Sequence, residues 1–385
     1  MPKVLRIINR FNIGGPTYNA AYLSKYLAPD FETLLVGGQK DESEDSSEFI
    51  LDSLGLKPII IPEMKREINF KQDRLAYQKI KEIIGDFKPD IVHTHASKAG
   101  AIGRLAAHKM KVPLIYHTFH GHVFHSYFGA AKTKAYKSVE RYLAKKSTNI
   151  IAISEIQKRE LSEIHNICKP DKIKIIPLGF DLTRFRENKK EKRAKFRKEW
   201  GIKEDEIAIG IVGRLVPIKD HNFFLDAASK INHTTSKKIK FLIVGDGELR
   251  PILEQKVLNE NINNVVFTSW QKNVDEVNAG LDIICLSSKN EGTPVSLIEA
   301  QASGIPIVST NVGGIENVVL KNESAFLSEV GDLESFVKNL GLLIEDDELR
   351  ESMSQKGGHV LKSFHYTRLI DDVKELYNLG LNLTL

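Results

Sequence analysis

The chain of 385 residues is 42% hydrophobic and 27% charged, with 26 Gly and 13 Pro. That length suits two or three domains of roughly 100–200 residues whose cores need no disulfide or metal staple, and the composition excludes collagen, disorder and low complexity as global descriptions. A net charge of +5 is modest, and with no broad basic footprint, aromatic platform or recognised module it excludes nucleic acid as the partner.

No apolar run approaches the roughly 18 residues of a bilayer span, and the start MPKVLRIINR lacks a secretory apolar region and cleavage site. A cytoplasmic chain that neither crosses a membrane nor is exported is expected. Cys168 and Cys285 cannot build a disulfide framework, and Cys285, inside DIICLSS, reads as a small buried thiol.

In chain order, VLRIIN, ETLLVG, KPIIIP, DIVHTH, PLIYHTF, NIIAIS and KIIPL predict the strands of a parallel α/β domain with helical stretches between them. After NIIAIS's predecessor PLIYHTF, the segment from Lys132 to Lys146 holds Lys132, Lys134, Lys137, Arg141, Lys145 and Lys146 against Glu140 alone. Ala135, Tyr136, Val139, Tyr142 and Leu143 repeat there at helical spacing, which predicts an amphipathic basic helix suited to an anionic surface. The polar run TRFRENKKEKRAKFRKEWGIKEDE reads as a connector followed by an exposed helix, placing a boundary near residue 183. A second α/β series follows: EIAIGIVG, KFLIVGDG, NVVFTSW, DIICLSS, IPIVST and SAFLSE. The expected domains are therefore 1–183 and 184–365. A last helix over 366–385, with Leu369, Ile370, Val373, Leu376 and Tyr377 on one stripe, is expected to return to the first domain.

Doubly wound domains bind ligands beyond the carboxyl ends of their strands, so two of them facing across a cleft should gather their functional residues there. Gly14 and Gly15 stand between the first strand and helix, where backbone can approach a ligand beside free helical amides. Six of the 12 histidines fall in HTH at 93–95 and in HTFHGHVFH. A metal-dependent hydrolase would need an acidic ligand nearby, and no Asp or Glu occurs from 94 to 125. His93 reads as a core histidine, whereas His120, followed by Gly121, suits hydrogen bonding to a polar substrate.

In the second series, Arg214 and Lys219 lie across the loop after EIAIGIVG, a planar fork and a mobile point charge suited to a diphosphate. Within SSKNEGTPVSLIEAQASG, Thr293 is expected to cap a helix with Pro294 at its first position, leaving the amides of Val295 and Ser296 free for a phosphate. Glu299, one and a half turns on among apolar neighbours, needs partners that a ribose diol would supply, and Glu291 would face the group on the distal phosphate.

Glu291 and Glu299 form an E-x7-E motif. With GRLVPIKD, HGH and the early Gly-Gly loop in the same order, the chain resembles glycosyltransferase family 4 over nearly its whole length. The resemblance implies the GT-B fold of two Rossmann-like domains, with acceptor mainly on the first and nucleotide-sugar donor on the second, and retaining, metal-independent transfer. It implies that Arg214 and Lys219 bind the diphosphate, Glu299 the ribose, Glu291 and His120 the transferred sugar, and the Gly15 amide the phosphate. His120, Glu291, Arg214 and Lys219 would thus serve the reacting centre, with Gly14, Gly15, Thr293, Val295 and Ser296 completing donor binding. Acceptor contacts are expected at Thr17, His95, Lys98 and His122. No cofactor or metal is expected.

Leu178-Gly179-Phe180-Asp181 stands where relatives often read Asn-Gly-Val-Asp, and Asn317 where a Glu is frequent. The HTHASKAGAIGRLAA and HGHVF stretches look like capsule and O-antigen transferases acting on lipid-linked intermediates. The expected activity is transfer from a UDP-sugar to a glycan or polyprenyl-diphosphate-linked glycan, with residues 130–146 against the inner membrane face. The alternatives are a nucleotide-sugar 2-epimerase of the same fold, the metal-dependent hydrolase, and a binding module without turnover.

Overall fold

The computed structural model describes residues 1–12, 14–40, 47–65, 67–120 and 130–383. The chain divides into two compact units, Met1–Phe180 with Phe364–Leu385, and Asp181–Ser363. No helix among the described residues is long and apolar enough to cross a membrane.

In the first unit the elements run β1 Lys3–Arg10, α1 Gly15–Tyr26, β2 Glu32–Gly38, α2 Glu48–Ser53, β3 Ile59–Ile60, α3 Phe70–Phe87, β4 Ile91–His95, α4 Ser97–Lys109, β5 Leu114–Phe119, α5 Ala130–Lys146, β6 Asn149–Ala152, α6 Glu155–Arg159 and β7 Ile173–Ile175. The strands make one parallel sheet in the order β3-β2-β1-β4-β5-β6-β7. Side chains alternate between its two faces. Leu5, Ile7, Val92 and Ile115 pack under α3 and α4, while Val4, Ile91, Leu114 and Tyr116 form the opposite core.

The second unit runs α7 Lys189–Glu199, β8 Ile207–Val212, α8 His221–Asn232, β9 Ile239–Val244, α9 Arg250–Asn259, β10 Val265–Ser269, α10 Val274–Gly280, β11 Ile283–Leu286, α11 Val295–Ala302, β12 Ile307–Thr310, β13 Ala325–Ser328, α12 Leu333–Glu345, α13 Asp347–Lys356 and α14 Val360–Ser363. Its sheet is ordered β10-β9-β8-β11-β12-β13 and parallel throughout. Both sheets reverse direction of winding beside their first strand, between β1 and β4 and between β8 and β11. At such a switch point the flanking loops diverge and leave a crevice for ligand.

The helix expected to be exposed after the connector is instead docked. Phe196 is buried, and Arg193 and Arg197 hold the Asp282 carboxylate at 2.7 and 3.1 Å. Charge density alone hid this, because guanidinium stems can cover apolar surface while their heads find a half-buried acid.

The final helix, α15 Tyr366–Asn382, belongs to the first unit and lays Leu369, Ile370, Val373, Leu376 and Tyr377 on the core of Val4, Ile91 and Leu114. Arg368 Nη2 donates to the carbonyls of Pro177 and Leu178 at 2.7 Å each, fixing its first turn. Near its last turn Gly380 meets Tyr116, and a Cβ there would overlap the tyrosine hydroxyl and crowd Leu114.

Gly380→Ala should therefore destabilise the chain by about 1–3 kcal/mol, the usual cost of overpacking. Gly341→Ala, on α12 where a Cβ meets nothing within 4 Å, should stabilise by roughly 0.5–1 kcal/mol through helix propensity. Chemical denaturation of the two variants checks the contrast, and equal shifts would refute close docking of α15.

Candidate active site

In the second unit, the loops after β8 and β11 lie side by side because their strands pair. Pro217–Lys219 form one 3-10 turn, and Asp220 follows with φ of 48°. Ser287 Oγ lies 2.9 Å from both the Lys219 and Asp220 carbonyls, and Lys289 Nζ pairs with Asp220 at 2.9 Å. These contacts aim Lys219 at the neighbouring loop. Its Nζ meets Glu291 Oε1 at 2.5 Å, and Ser288 Oγ donates to the same oxygen at 2.5 Å. Arg214, by contrast, is exposed, with no side-chain partner among the described residues. Its loop is braced by Leu215 N, which donates to Asp246 O at 2.9 Å.

The loop bearing Glu291 is held from behind. Gly313 has φ of 53° and a Cβ there would overlap the Glu291 carbonyl oxygen, while Gly314 N donates to that carbonyl at 3.1 Å. Only glycine fits both the conformation and the approach. The Ser-Ser pair after β11 and the Gly-Gly pair after β12 are parts of the site that motif reading missed. Their signal was small and polar residues directly past strand ends.

The α11 cap differs from expectation. Pro294, extended at φ −73° and ψ 96°, is the cap residue, no side chain caps the helix, and Val295 is its first residue. Thr293 lies outside. The first intrahelical bond runs from Leu297 N to Pro294 O at 3.1 Å. The amides of Val295 and Ser296 precede it and stand at the positive end of the helix.

The Glu299 carboxylate accepts no hydrogen bond among the described residues, although its carbonyl accepts from Ser303 N at 3.0 Å. Its side chain is 15% exposed, and the nearest cation is Arg184 Nη2 at 4.0 Å. Burial pushes its carboxyl up to about 7, with Arg184 opposing and Asp275 reinforcing the shift. Asp275 itself pairs with Lys192 at 2.8 Å. A carboxyl with unfilled acceptors suits a diol, which brings two hydroxyl donors.

In the first unit, Arg6 on β1 and His93 and His95 on β4 point to the face covered by α15. All three are fully buried. Arg6 Nη1 donates to His93 Nδ1 at 3.0 Å and to His95 Nε2 at 3.3 Å, and Arg6 Nη2 donates to the Tyr377 hydroxyl at 3.4 Å. His93 Nε2 meets Thr118 Oγ1 at 2.7 Å, and His95 Nδ1 meets His120 Nε2 at 2.9 Å. Burial, then the Arg6 charge, holds His93 well below the usual histidine range, and burial with its charged and imidazole neighbours does the same to His95. Burial pushes His120 down to about 3. Lone pairs turned toward a guanidinium are poor cation ligands, and among the described residues no three His, Cys, Asp or Glu side chains gather as a metal set.

Three acceptor contacts expected from sequence have other partners. Thr17 is buried and donates to Asn12 O at 2.7 Å. His95 is enclosed between Arg6 and His120. Lys98 pairs with Asp73 at 2.5 Å and donates to Lys65 O at 2.8 Å. His122 lies outside the described residues. Gly14, the residue before α1, is extended at φ 163°, a conformation open to any residue, and the Gly15 amide opens the helix.

Two family models divide the chain: one described as Glycosyltransferase Family 4 matches residues 13–184, and one described as Glycosyl transferases group 1 matches residues 192–360. The chain is 31% identical over 344 residues to the UDP-Gal:alpha-D-GlcNAc-diphosphoundecaprenol alpha-1,3-galactosyltransferase of Escherichia coli, covering 87% of each. The chain belongs to glycosyltransferase family 4. This transferase is also 27% identical over 332 residues to the capsular polysaccharide biosynthesis glycosyltransferase CapM of Staphylococcus aureus, with 83% of this chain and 84% of the relative covered. Its fold is GT-B: Anabaena HepE, solved in complex with UDP, superposes with a TM-score of 0.81 at 18% identity, covering 98% of this chain and 99% of that one.

The raised Glu299 carboxyl gives a signed stability effect. Between the ordinary carboxyl value of 4.5 and about 7 the native state keeps a proton that the unfolded chain releases, so stability falls as pH rises through that window. The integrated cost is on the order of 1–3 kcal/mol. Glu299→Gln should raise the melting temperature of the ligand-free transferase at pH 8 and leave it unchanged at pH 4. Equal shifts at both pH values would assign Glu299 an ordinary solvated carboxyl.

Proposed function

We propose that this transferase moves a hexosyl group, with retention, from a UDP-sugar to a polyprenyl-diphosphate-linked or polysaccharide acceptor, and that it needs no divalent ion. The observation that carries this reading is the arrangement at the ends of β8 and β11: an unpaired Arg214, Lys219 held by Glu291, and two helix amides, with Glu299 on the following turn. A diphosphate seated there meets the exposed Arg214, competes with Glu291 for Lys219, and accepts from the Val295 and Ser296 amides. The ribose diol donates to Glu299. The donor and acceptor classes are supported by the E. coli relative, whose name carries both a UDP-sugar and a diphosphoundecaprenol-linked sugar.

In this reading the bond from the anomeric carbon to the diphosphate oxygen breaks with its electron pair on that oxygen. The acceptor oxygen bonds to the same face of the sugar, and its proton passes to the leaving diphosphate. Arg214, Lys219 and the amides stabilise the charge that grows there. Lys219 leaves Glu291 for the diphosphate, which frees Glu291 to meet a hydroxyl of the transferred sugar. His120 is the first unit's contribution, a hydrogen-bonding group for a substrate oxygen, and the Gly15 amide a donor to phosphate.

Membrane contact has its own observation. On α5, Val139 and Tyr142 are 48% and 51% exposed, and Lys134 and Lys145 are exposed beside them, with Lys146 Nζ over the Tyr142 ring at 5.6 Å. Arg141 is not part of this face, since it donates to the His165 and Asn166 carbonyls at 2.8 Å. Exposed apolar and aromatic groups flanked by lysines suit an anionic bilayer surface.

Turnover should survive EDTA, and Lys219→Ala should lower kcat more than it weakens donor binding, because leaving-group charge grows in the transition state. Product NMR should show the donor's anomeric configuration; inversion, or activity lost to EDTA and restored by manganese, would overturn the reading. Co-sedimentation with anionic vesicles should weaken in high salt and on changing Lys134, Lys145 and Lys146 to Glu, each lysine contributing on the order of 1 kcal/mol. Binding indifferent to both salt and substitution would leave a water-soluble acceptor.

A further inference from the structure

Arg6 is a fully buried guanidinium on the central strand whose hydrogen-bond acceptors are two imidazoles and a phenol. No carboxylate pairs with it among the described residues. A guanidinium has donors only, so the nitrogens it touches must carry lone pairs. His93 therefore holds its proton on Nε2 and donates to Thr118. His95, accepting at Nε2, holds its proton on Nδ1 and donates to His120 Nε2 across 2.9 Å. That leaves the His120 proton on Nδ1, an atom that is buried and without a hydrogen-bond partner among the described residues. The rings stack in register, His93 on His95 at 4.3 Å and His95 on His120 at 5.2 Å between centroids.

We propose that Arg6 is a positioning residue for transfer: through His95 it locks His120 as the Nδ1–H tautomer, so that the imidazole presents a fixed N–H donor to a substrate oxygen. This rests on the reading that His120 meets substrate. The charged and titratable groups around the row agree with neutral imidazoles: Arg6 from β1, Tyr116 from β5 and Tyr377 from α15 face it, while His117, on the other face of the sheet, stands beside Arg104 of α4, which pairs with Glu140 at 2.6 Å. The groups on the row's own face supply no negative charge at neutral pH to draw a second proton onto the rings, and the Glu140 carboxylate is held by Arg104. An uncompensated buried cation is costly, and its retention at this point has a purpose if it sets which nitrogen of a distant ring carries hydrogen.

The test is a long-range 15N–1H spectrum of the transferase labelled at histidine, which separates the two tautomers and the cation. His95 and His120 should both be Nδ1–H, and His93 Nε2–H, from pH 5.5 to 8. An Nε2–H or cationic His120 in the wild type overturns the relay without need of a variant. Arg6→Met removes the donor, so His120 should lose its single tautomer and kcat/KM should fall by roughly tenfold or more, with melting temperature unchanged or raised. Arg6→Lys, which keeps a donor and a charge, should recover the tautomer and part of the rate. A tautomer change without loss of rate would remove the positioning role. His120→Ala separates the two readings: full activity in that variant with the assigned spectrum would refute substrate contact by His120 and leave the relay standing.

Discussion

A parallel sheet buried on both faces gives a ligand no access except at its ends, and every site in this chain follows from that constraint. The strands of the second unit are apolar through their middles, so its charged groups gather where the chain leaves a strand and enters a helix, whereas β1 and β4 of the first carry Arg6 and His93 within the sheet. Pairing of β8 with β11 sets two such exits side by side, and the loops there have short lengths and firm braces. Asp220 and Gly313, both at positive φ, turn the backbone where a longer loop would have let Lys219 and Glu291 drift apart.

Without ligand, Lys219 and Glu291 satisfy each other. Binding a nucleoside diphosphate therefore exchanges one set of charge contacts for another. The free energy of binding then reflects the difference between diphosphate and carboxylate as partners of Lys219, which favours the more highly charged group. Arg214, unpaired and exposed, is suited to make first contact.

Much of this was legible in the sequence, for physical reasons that also explain the failures. Strand periodicity and β-branched composition found both sheets, because burial on two faces leaves continuous apolar runs. The placement of Glu291 and Glu299 around a helix start came from spacing alone. The cap did not: Thr293 is the better capping residue, but Pro294 at ψ 96° delays the helix by one residue. His95 and Lys98, expected as acceptor contacts, have protein partners that local sequence could not reveal. The partners are Arg6, 89 residues away from His95 in sequence, and Asp73 on another helix. Arg6 within VLRIIN carried a signal, since a lone cation in a strand buried on both faces must find acceptors inside.

The return of α15 to the first unit bears on how the protein is made. Tyr377 closes the face over the histidine row, and its hydroxyl lies 2.6 Å from His93 Nδ1, 284 residues earlier in the chain. During synthesis the first sheet emerges long before α15, and Val4, Ile91 and Leu114, covered in part by Leu23 and Leu27 of α1, wait for that helix to complete their cover. The second unit, formed from one unbroken stretch, has no such wait. The nascent chain thus passes through a stage with one unit complete and the other showing an open apolar face, the stage at which a chaperone would find something to hold.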